Sequence, residues 1–366
     1  MPAIDRFLKF IESQGASDLH IAAKRRPVIR LDGTIVSLKG DVLKPDETER
    51  LFREIMPAHN QEELDQRGDT DFAYELEDVA RFRVNVFEDM YGVGGACRLI
   101  PNRIRSVDEL GIPGSVTKLC YLPKGLVLVT GPTGCGKSTT LASLVQLINE
   151  TRKAHIVTIE DPIEYVYEES KCRINQREVH THAESFPRAL RAALRQDPDV
   201  VLVGEMRDLE TTRTAIQTAE TGHVVFATLH TTTAASSVDR LISQYPPSEQ
   251  EQIRSMVASN LTGVVSQTLL RRRNGGMVAA FEVLIVTAAV QATIRERKLH
   301  QIPSIMQTSA KAGMVQLNDS LVRLVVQDMV EPREAFASTV DREELERKLK
   351  MAGVEVAPEE AMGLEE

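Results

Sequence analysis

The sequence predicts an α/β fold for the larger, C-terminal part of the chain, preceded by a smaller α+β region. Three observations support this prediction. Short apolar runs alternate with helical segments in the C-terminal part, which is typical of a parallel sheet covered on both faces. A glycine-rich loop, Gly131–Ser138 (GPTGCGKS), follows the first of these runs. The chain's 366 residues are also enough for two domains.

The first hundred residues combine helical and strand patterns. The spacing of apolar residues predicts two helices, over 4–11 and 45–56. Strands are predicted over 28–31, 34–36, 71–74, 80–87 and 95–100. The first two strands are expected to form a hairpin with a tight turn at Asp32-Gly33. In strand 80–87 the apolar residues alternate with Arg81 and Arg83, so we expect one buried face and one solvated face.

A change of pattern marks the boundary between the two regions. Prolines and glycines cluster between residues 101 and 123, as is common where one domain ends and another begins. We therefore predict four segments: an N-terminal domain over 1–103, an interdomain linker over 104–120, a second domain with a helical C-terminal part over 121–353, and a frayed acidic tail over 354–366.

The second domain should contain a parallel sheet. Its buried strands are predicted over 126–130, 156–159, 200–203 and 224–228. Helices are predicted between them over 137–149, 186–195 and 209–221. From about Ser248 onward the sequence is expected to be mostly helical, and the basic run Arg271–Arg273 is expected at the exposed end of a helix.

Composition excludes several classes of protein. A net charge of -9, no Trp and 4% aromatic residues disfavour a nucleic-acid partner. Four scattered cysteines without a CxxC pair argue against a zinc knuckle or a disulfide framework and favour a reducing compartment. The N-terminus resembles an amphipathic helix rather than a signal peptide. The longest apolar stretch without charge, 283–294, is shorter than the roughly 20 residues that span a bilayer. We expect a cytoplasmic protein without a membrane span.

The loop Gly131–Ser138 has the GxxxxGK[ST] spacing of a P-loop. Glycines allow backbone N–H groups to turn toward phosphates, and the following helix directs its positive end at the same place. Lys137 is expected to reach the β- and γ-phosphates, and Ser138 to offer a hydroxyl to Mg²⁺. Because a buried strand precedes the loop and a helix follows it, a chance match is improbable.

Polar residues follow each of the other three predicted strands. Glu160-Asp161-Pro-Ile-Glu164 follows the second strand, Glu205 the third and His230 the fourth. Since ligands bind at the carboxyl ends of parallel strands, these residues predict a nucleotide site. Glu164 is the best candidate for the general base, Glu205 for the Mg²⁺ side and His230 for a γ-phosphate sensor. Glu160 is a further candidate metal ligand, and Glu160 or Glu205 could exchange roles with Glu164.

Four blocks of sequence resemble the motifs of the type II/IV secretion ATPases. Their Walker A, Asp box, Walker B and His box resemble GPTGCGKSTT (131–140), TIEDPIEY (158–165), RQDPDVVLVGEMRD (195–208) and TGHVVFATLHTT (221–232). Further segments, including Ala16–His20 and Asn175–Glu178, resemble the PilT-type branch, the type IV pilus retraction ATPases. The resemblance implies a PAS-like N-terminal domain, a RecA-like P-loop ATPase domain and a homohexamer.

The resemblance also implies which residues contact the nucleotide. ATP or ADP would bind between the two domains with Mg²⁺, and arginines of the N-terminal domain, matched here by Arg81 and Arg83, would reach the phosphates. The cradle is expected to comprise Gly131, Thr133, Gly134, Cys135, Gly136, Lys137, Ser138 and Thr139. Cys135 departs from the serine that is common in this loop and adds a thiol that could oxidise. Segment 289–296 matches the retraction motors only loosely.

The favoured function is a hexameric ATPase motor that powers pilus retraction through domain motion about the linker. It would act at the inner membrane through a platform protein. A PilU-like accessory retraction ATPase, a pilus extension or type II secretion ATPase, a RecA-like nucleic-acid motor and a non-hydrolysing ATP switch are the alternatives. Retraction is favoured by the resemblance, by the absence of a tetracysteine site and by the absence of an extra domain ahead of the PAS-like one.

Overall fold

A computed structural model describes residues 2–31, 33–77, 79–100 and 103–354. The chain divides into two compact units. The first comprises Met1–Arg103 together with Pro162–Val166, and the second comprises Ile104–Asp161 and Tyr167–Glu366. Asp32 of the predicted turn and all but the first residue of the predicted acidic tail lie outside the described residues.

The first unit is an antiparallel sheet with helices on one face. Its elements are α1 (Asp5–Ser13), β1 (Asp18–Ile21), β2 (Val28–Leu31), β3 (Thr34–Ser37), α2 (Pro45–Arg53), α3 (Ala58–Arg67), β4 (Asp69–Leu76), β5 (Ala80–Asp89) and β6 (Gly92–Ile100). The six strands are arranged in the order β3-β2-β1-β6-β5-β4, and every neighbouring pair is antiparallel.

The core of this unit lies between the sheet and the helices. The predicted alternation in β5 is confirmed: Phe82, Val84 and Val86 are fully buried, whereas Arg81 and Arg83 are only partly buried. Helix α2 packs closely on β6 because Gly95 has no side chain. A Cβ atom there would lie 2.6 Å from the ring of Phe52, so only glycine allows this approach.

The second unit contains the parallel sheet predicted from the buried strands. Its strands are β7 (Gly125–Thr130), β8 (His155–Glu160), β9 (Arg173–Glu178), β10 (Val200–Val203), β11 (Val224–Leu229), β12 (Leu261–Arg271) and β13 (Met277–Ile285). Its helices are α4 (Gly114–Leu119), α5 (Lys137–Thr151), α6 (Phe186–Ala193), α7 (Leu209–Glu220), α8 (Ala234–Ser243), α9 (Pro247–Asn260), α10 (Ala288–Arg295), α11 (Ile302–Thr308), α12 (Leu317–Val326), α13 (Pro332–Ser338) and α14 (Arg342–Met351). Helix α4 lies within the stretch predicted as a linker.

Strand order places β7 near the middle of this sheet. The order is β13-β12-β7-β11-β10-β8-β9, with β13 antiparallel to β12 and all other neighbours parallel. Every residue of β7, β10 and β11 is buried, because helices cover both faces. Because β7, β11 and β10 are parallel neighbours, their carboxyl ends lie side by side, with β11 between the other two.

The prediction that the chain is mostly helical after Ser248 is confirmed by helices α9 to α14, but it missed two strands. Strands β12 and β13 form a long hairpin there, joined by a turn that contains Gly275 and Gly276, both with positive φ. Strand β12 is paired on both edges and is largely buried, so its apolar residues do not alternate with polar ones. Because this hairpin replaces a helix, Arg271–Arg273 lies at the end of a strand and the start of the turn, and its predicted place at a helix end was wrong.

The length and polarity of a helix decide whether it can span a membrane. Among the described residues, every helix is too short or too polar to cross a lipid bilayer.

Candidate functional site

The P-loop connects β7 to α5 and is built on three glycines with positive φ. These are Gly131 (φ 142°), Gly134 (φ 80°) and Gly136 (φ 88°), conformations that strain a residue with a side chain. Helix α5 begins directly after Gly136, at Lys137. The loop therefore has the left-handed turns and the helix N-terminus that a phosphate-binding loop requires.

Lys137 closes the loop from inside. Its Nζ donates hydrogen bonds to the carbonyl oxygens of Gly131 at 2.9 Å and Pro132 at 3.0 Å. The side chain is buried, so its ammonium is placed within the loop and not in bulk solvent. A positive charge held there is suited to binding the β- and γ-phosphates.

The other predicted loop residues differ in exposure. Thr133 and Gly134 are exposed at the tip, and Ser138 and Thr139 are half-buried in the first turn of α5. Cys135 is only 3% exposed. Burial raises the pKa of its thiol, and the charge of Lys137 opposes this only in part. The Cys135 side chain thus lies on the protein side of the loop, while the tip of the loop faces outward.

Glu205 and His230 are brought together by the sheet. Because β10 and β11 are neighbours, the residues that follow them meet, and His230 Nε2 lies 2.7 Å from Glu205 Oε1. Arg207 Nη2 lies 2.8 Å from the other oxygen, Oε2. Burial raises the pKa of Glu205, but hydrogen bonds from Arg207 and His230 outweigh it and hold that pKa below its ordinary value. Glu205 is therefore a carboxylate at neutral pH.

Glu160 ends β8, next to the strand that precedes Glu205. Its Oε1 accepts a hydrogen bond from Thr158 Oγ1 at 2.6 Å and one from Gln176 Nε2 at 3.3 Å. Gln176 lies on the edge strand β9, so this carboxylate is oriented along the sheet toward β9. Within the described residues, no three His, Cys, Asp or Glu side chains form a cluster that could hold a metal ion. The roles of Glu160, Glu205 and Ser138 toward Mg²⁺ remain predictions.

Three predicted site residues belong to the first unit. Glu164 lies in the segment Pro162–Val166, which is grouped with that unit. Arg81 and Arg83 project from the partly buried face of β5, where they approach the carboxylates of Glu75 at 3.8 Å and Asp71 at 3.7 Å. Their predicted roles toward the nucleotide remain predictions.

Sequence reasoning missed a residue that supports the loop. Gln267 on β12 is 4% exposed, and its Nε2 donates a hydrogen bond to the carbonyl oxygen of Cys135 at 2.6 Å. The two residues are 132 positions apart, so no local spacing connects them. A polar side chain within an apolar run was the available signal, but the sequence predicts helix for β12.

A chain of buried hydroxyl groups also escaped prediction. Thr130 at the end of β7 is hydrogen-bonded to Ser266 of β12 at 2.8 Å and to Ser237 of α8 at 3.3 Å. Ser237 in turn lies 2.6 Å from the hydroxyl of Thr231, the residue after His230. This hydroxyl chain (Ser266, Thr130, Ser237 and Thr231) connects the start of the P-loop to the segment that carries His230.

Comparison with known proteins identifies the family. The model of the family described as type II/IV secretion system protein matches residues 1–358. The chain belongs to this family. The match agrees with the resemblance of the four motif blocks. Three features of these blocks, the P-loop, Glu205 and His230, follow strands of the same sheet.

Individual relatives in the family are similar over nearly their whole length. PilT of Pseudomonas aeruginosa, a type IV pilus retraction ATPase, is 46% identical over 327 residues, or 89% of this chain and 95% of that protein. The type IV pilus ATPase PilU of the same organism is 32% identical over 348 residues, or 95% of this chain and 91% of PilU.

A solved structure of the family supports the fold. The crystal structure of the pilus retraction motor PilT with bound ADP matches with a TM-score of 0.86 and 44% identity, covering 95% of this chain and 99% of that one. The predicted α/β fold class and the predicted family are therefore confirmed. That relative binds ADP, which agrees with the phosphate loop described here.

Proposed function

We propose that this protein is a Mg²⁺-dependent ATPase that forms a homohexamer and powers retraction of type IV pili. ATP binding and hydrolysis would drive relative motion of the two units, and this motion would be delivered to an inner-membrane platform protein. The protein would thus act peripherally at the cytoplasmic side of that membrane and support pilus disassembly and twitching motility.

One observation carries the proposal. A complete P-loop and the Glu205–His230 pair lie at the carboxyl edge of one parallel sheet, in a chain that is 46% identical to a pilus retraction ATPase. A protein that only binds ATP needs the loop but not a carboxylate and a histidine paired beside it. The pair therefore favours hydrolysis over a passive nucleotide switch.

The chain's residues suit the steps of phosphoryl transfer. Lys137 and the loop N–H groups would neutralise the phosphates, and Ser138, Glu205 and Glu160 are the candidate Mg²⁺ ligands. When bound, Mg²⁺ would offset the negative charge that develops on the phosphate oxygens. Glu164 would orient or deprotonate the attacking water, and Arg81 and Arg83 would contact the phosphates. His230, hydrogen-bonded to Glu205, would report whether the γ-phosphate is present.

Two substitutions test this assignment. Lys137→Ala should abolish nucleotide binding and lower hydrolysis by about 100-fold or more. Glu164→Gln should retain ATP binding but lower the rate of hydrolysis by about 100-fold or more, because the base is lost. Glu168→Gln is the matched control, since Glu168 is an exposed glutamate in the same loop. Unchanged hydrolysis in Glu164→Gln would reassign the base to Glu160 or Glu205.

Direction of pilus movement is tested in cells. The identity of 46% to PilT against 32% to PilU favours the main retraction motor over the accessory one. Deletion of the gene should leave abundant surface pili without twitching, and the Lys137→Ala variant should fail to restore movement. Cells without pili would indicate an extension motor, whereas piliated cells that still retract would indicate an accessory role.

A further inference from the structure

Gln267 lies level with the first residue of the phosphate loop. Strand β12 runs parallel to β7 with Ser266 opposite Thr130. The next residue on β12 is Gln267, and the residue that directly follows β7 is Gly131. The backbones approach closely there, since a Cβ on Gly131 would collide with the carbonyl oxygen of Gln267. The loop therefore rests on β12 at this residue.

The Gln267 side chain reaches the far side of the loop. Its amide nitrogen donates to the carbonyl oxygen of Cys135, and a Cβ on Gly136 would lie 3.3 Å from the same nitrogen. In a trans peptide, the carbonyl oxygen and the following N–H point in opposite directions. Holding the Cys135 carbonyl toward β12 consequently directs the Gly136 N–H away from β12, to the side where phosphates bind.

The amide of Gln267 is held in one orientation. If it were turned over, its oxygen would face the carbonyl oxygen of Cys135, and two acceptors would repel each other. In the observed orientation Oε1 is buried, and no donor among the described residues satisfies it. An unsatisfied buried acceptor disfavours the folded state, so stability alone does not account for a glutamine here.

We infer that Gln267 is a positioning residue, which orients the Gly136 N–H for phosphate binding by holding the Cys135–Gly136 peptide. This inference rests on the proposed nucleotide binding. It assigns a function to β12, which is not one of the four strands whose ends carry the family's motifs. Gln267 does not touch the nucleotide itself and acts only through the loop.

The test separates nucleotide affinity from stability. Gln267→Met keeps the length of the side chain but removes the donor and the unsatisfied acceptor. We expect the Kd for ADP, measured by calorimetry, and the KM for ATP to rise about tenfold, while the melting temperature without nucleotide is unchanged or higher. Thr268→Val is the matched control, because Thr268 lies on the opposite face of the same strand.

A second variant, Gln267→Glu, adds a pH readout. The substituted carboxyl group would offer no donor when ionised but would regain an O–H donor when protonated. The ADP affinity of this variant, relative to the unsubstituted protein, should therefore recover as the pH is lowered, because the protonated carboxyl can again hold the Cys135 carbonyl. The Gln267→Met variant should show no such recovery.

The outcomes distinguish this inference from the proposed function. If the unsubstituted protein binds ADP but Gln267→Met binds it equally well, Gln267 has no positioning role, whatever happens to stability. A loss of melting temperature with no loss of affinity would likewise make Gln267 a structural residue only. If the unsubstituted protein itself fails to bind ADP, the proposed function fails first.

Discussion

Cys135 occupies a position in the loop where its thiol faces the protein interior. A Cβ on Gly131 would lie 2.6 Å from its sulfur, so the side chain fills the space behind the loop. Since the thiolate is the reactive form, and burial raises the thiol's pKa, the reactivity of this cysteine should be low at neutral pH.

This burial leads to a prediction about oxidation and alkylation. Cys135 should react with iodoacetamide much more slowly than an exposed cysteine near neutral pH, and Cys135→Ser should retain hydrolysis. Mass spectrometry of the modified loop measures the rate. A cysteine placed at the exposed tip, Thr133→Cys in the Cys135→Ser background, is the matched control. Equal rates at the two positions would contradict the buried placement.

Arg207 lies two residues after Glu205, and the structure pairs the two side chains. This contact helps to hold the pKa of Glu205 below its ordinary value. A carboxylate with a lowered pKa stays ionised until the pH falls through that lower value. The stability it contributes is fully present above the ordinary pKa and is lost as the pH falls from there through the lowered one.

Arg207→Gln should therefore move the acid limb of the pH–rate profile to higher pH. The expected cause is a rise in the pKa of Glu205, so hydrolysis should decline earlier as the solution is acidified. The profile of kcat/KM from mildly acidic to neutral pH measures this. Arg188→Gln removes an exposed arginine of α6 and should leave the profile unchanged. If both variants behave alike, Arg207 does not act through Glu205.

Helix α8 is connected to the sheet through polar groups as well as through its apolar face. Its Ser237 is fully buried and contacts hydroxyls at the ends of both β7 and β11. Buried hydroxyls in a dry interior are costly to leave without partners, so the hydroxyl chain holds these three elements in one arrangement.

Ser237→Ala should lower the free energy of unfolding by about 1–3 kcal/mol, because Thr130 and Thr231 lose a partner. Urea denaturation measures this. Ser243→Ala, on the exposed end of the same helix, should change it by less than about 0.5 kcal/mol. A Ser237→Ala effect as small as that of the control would show that the neighbouring hydroxyls find other partners.

Elements were predicted well where one residue pattern decided them. The buried strands β7, β8, β10 and β11, and helices α5, α6 and α7, lie within two residues of their predicted bounds. Strand β12 was missed because it is covered on both sides, so its apolar run lacks the alternation that identifies a strand. Missing β12 also meant missing Gln267 and Ser266.

At the scale of the whole molecule, the sequence could predict which residues follow strands but not which strands are neighbours. The contact of His230 with Glu205 depends on β10 and β11 being adjacent. The local sequence of neither segment indicates that the two strands are neighbours. Strand order follows from how all seven strands and their helices pack together. Residues that act through such contacts, Arg207 and Gln267 among them, therefore needed the structure.

Assembly is the prediction that belongs to the whole molecule. Light scattering after size exclusion should give about 244 kDa, six times the chain mass of 40.7 kDa. Lys137→Ala should elute at the same mass, since its change is confined to the P-loop. A mass that matches one chain at working concentration would contradict the proposed homohexamer.

The position of β11 between β7 and β10 determines the distance between the P-loop and Glu205. Neighbouring strands lie about 4.8 Å apart, so the P-loop and Glu205 begin about 10 Å from each other across the sheet edge. A phosphate chain anchored at the loop must extend across β11 before its last group comes level with Glu205. Under the proposed function the sheet would distinguish a triphosphate from a diphosphate by reach, and His230, which follows the intervening strand β11, would lie near the phosphate that only the triphosphate carries.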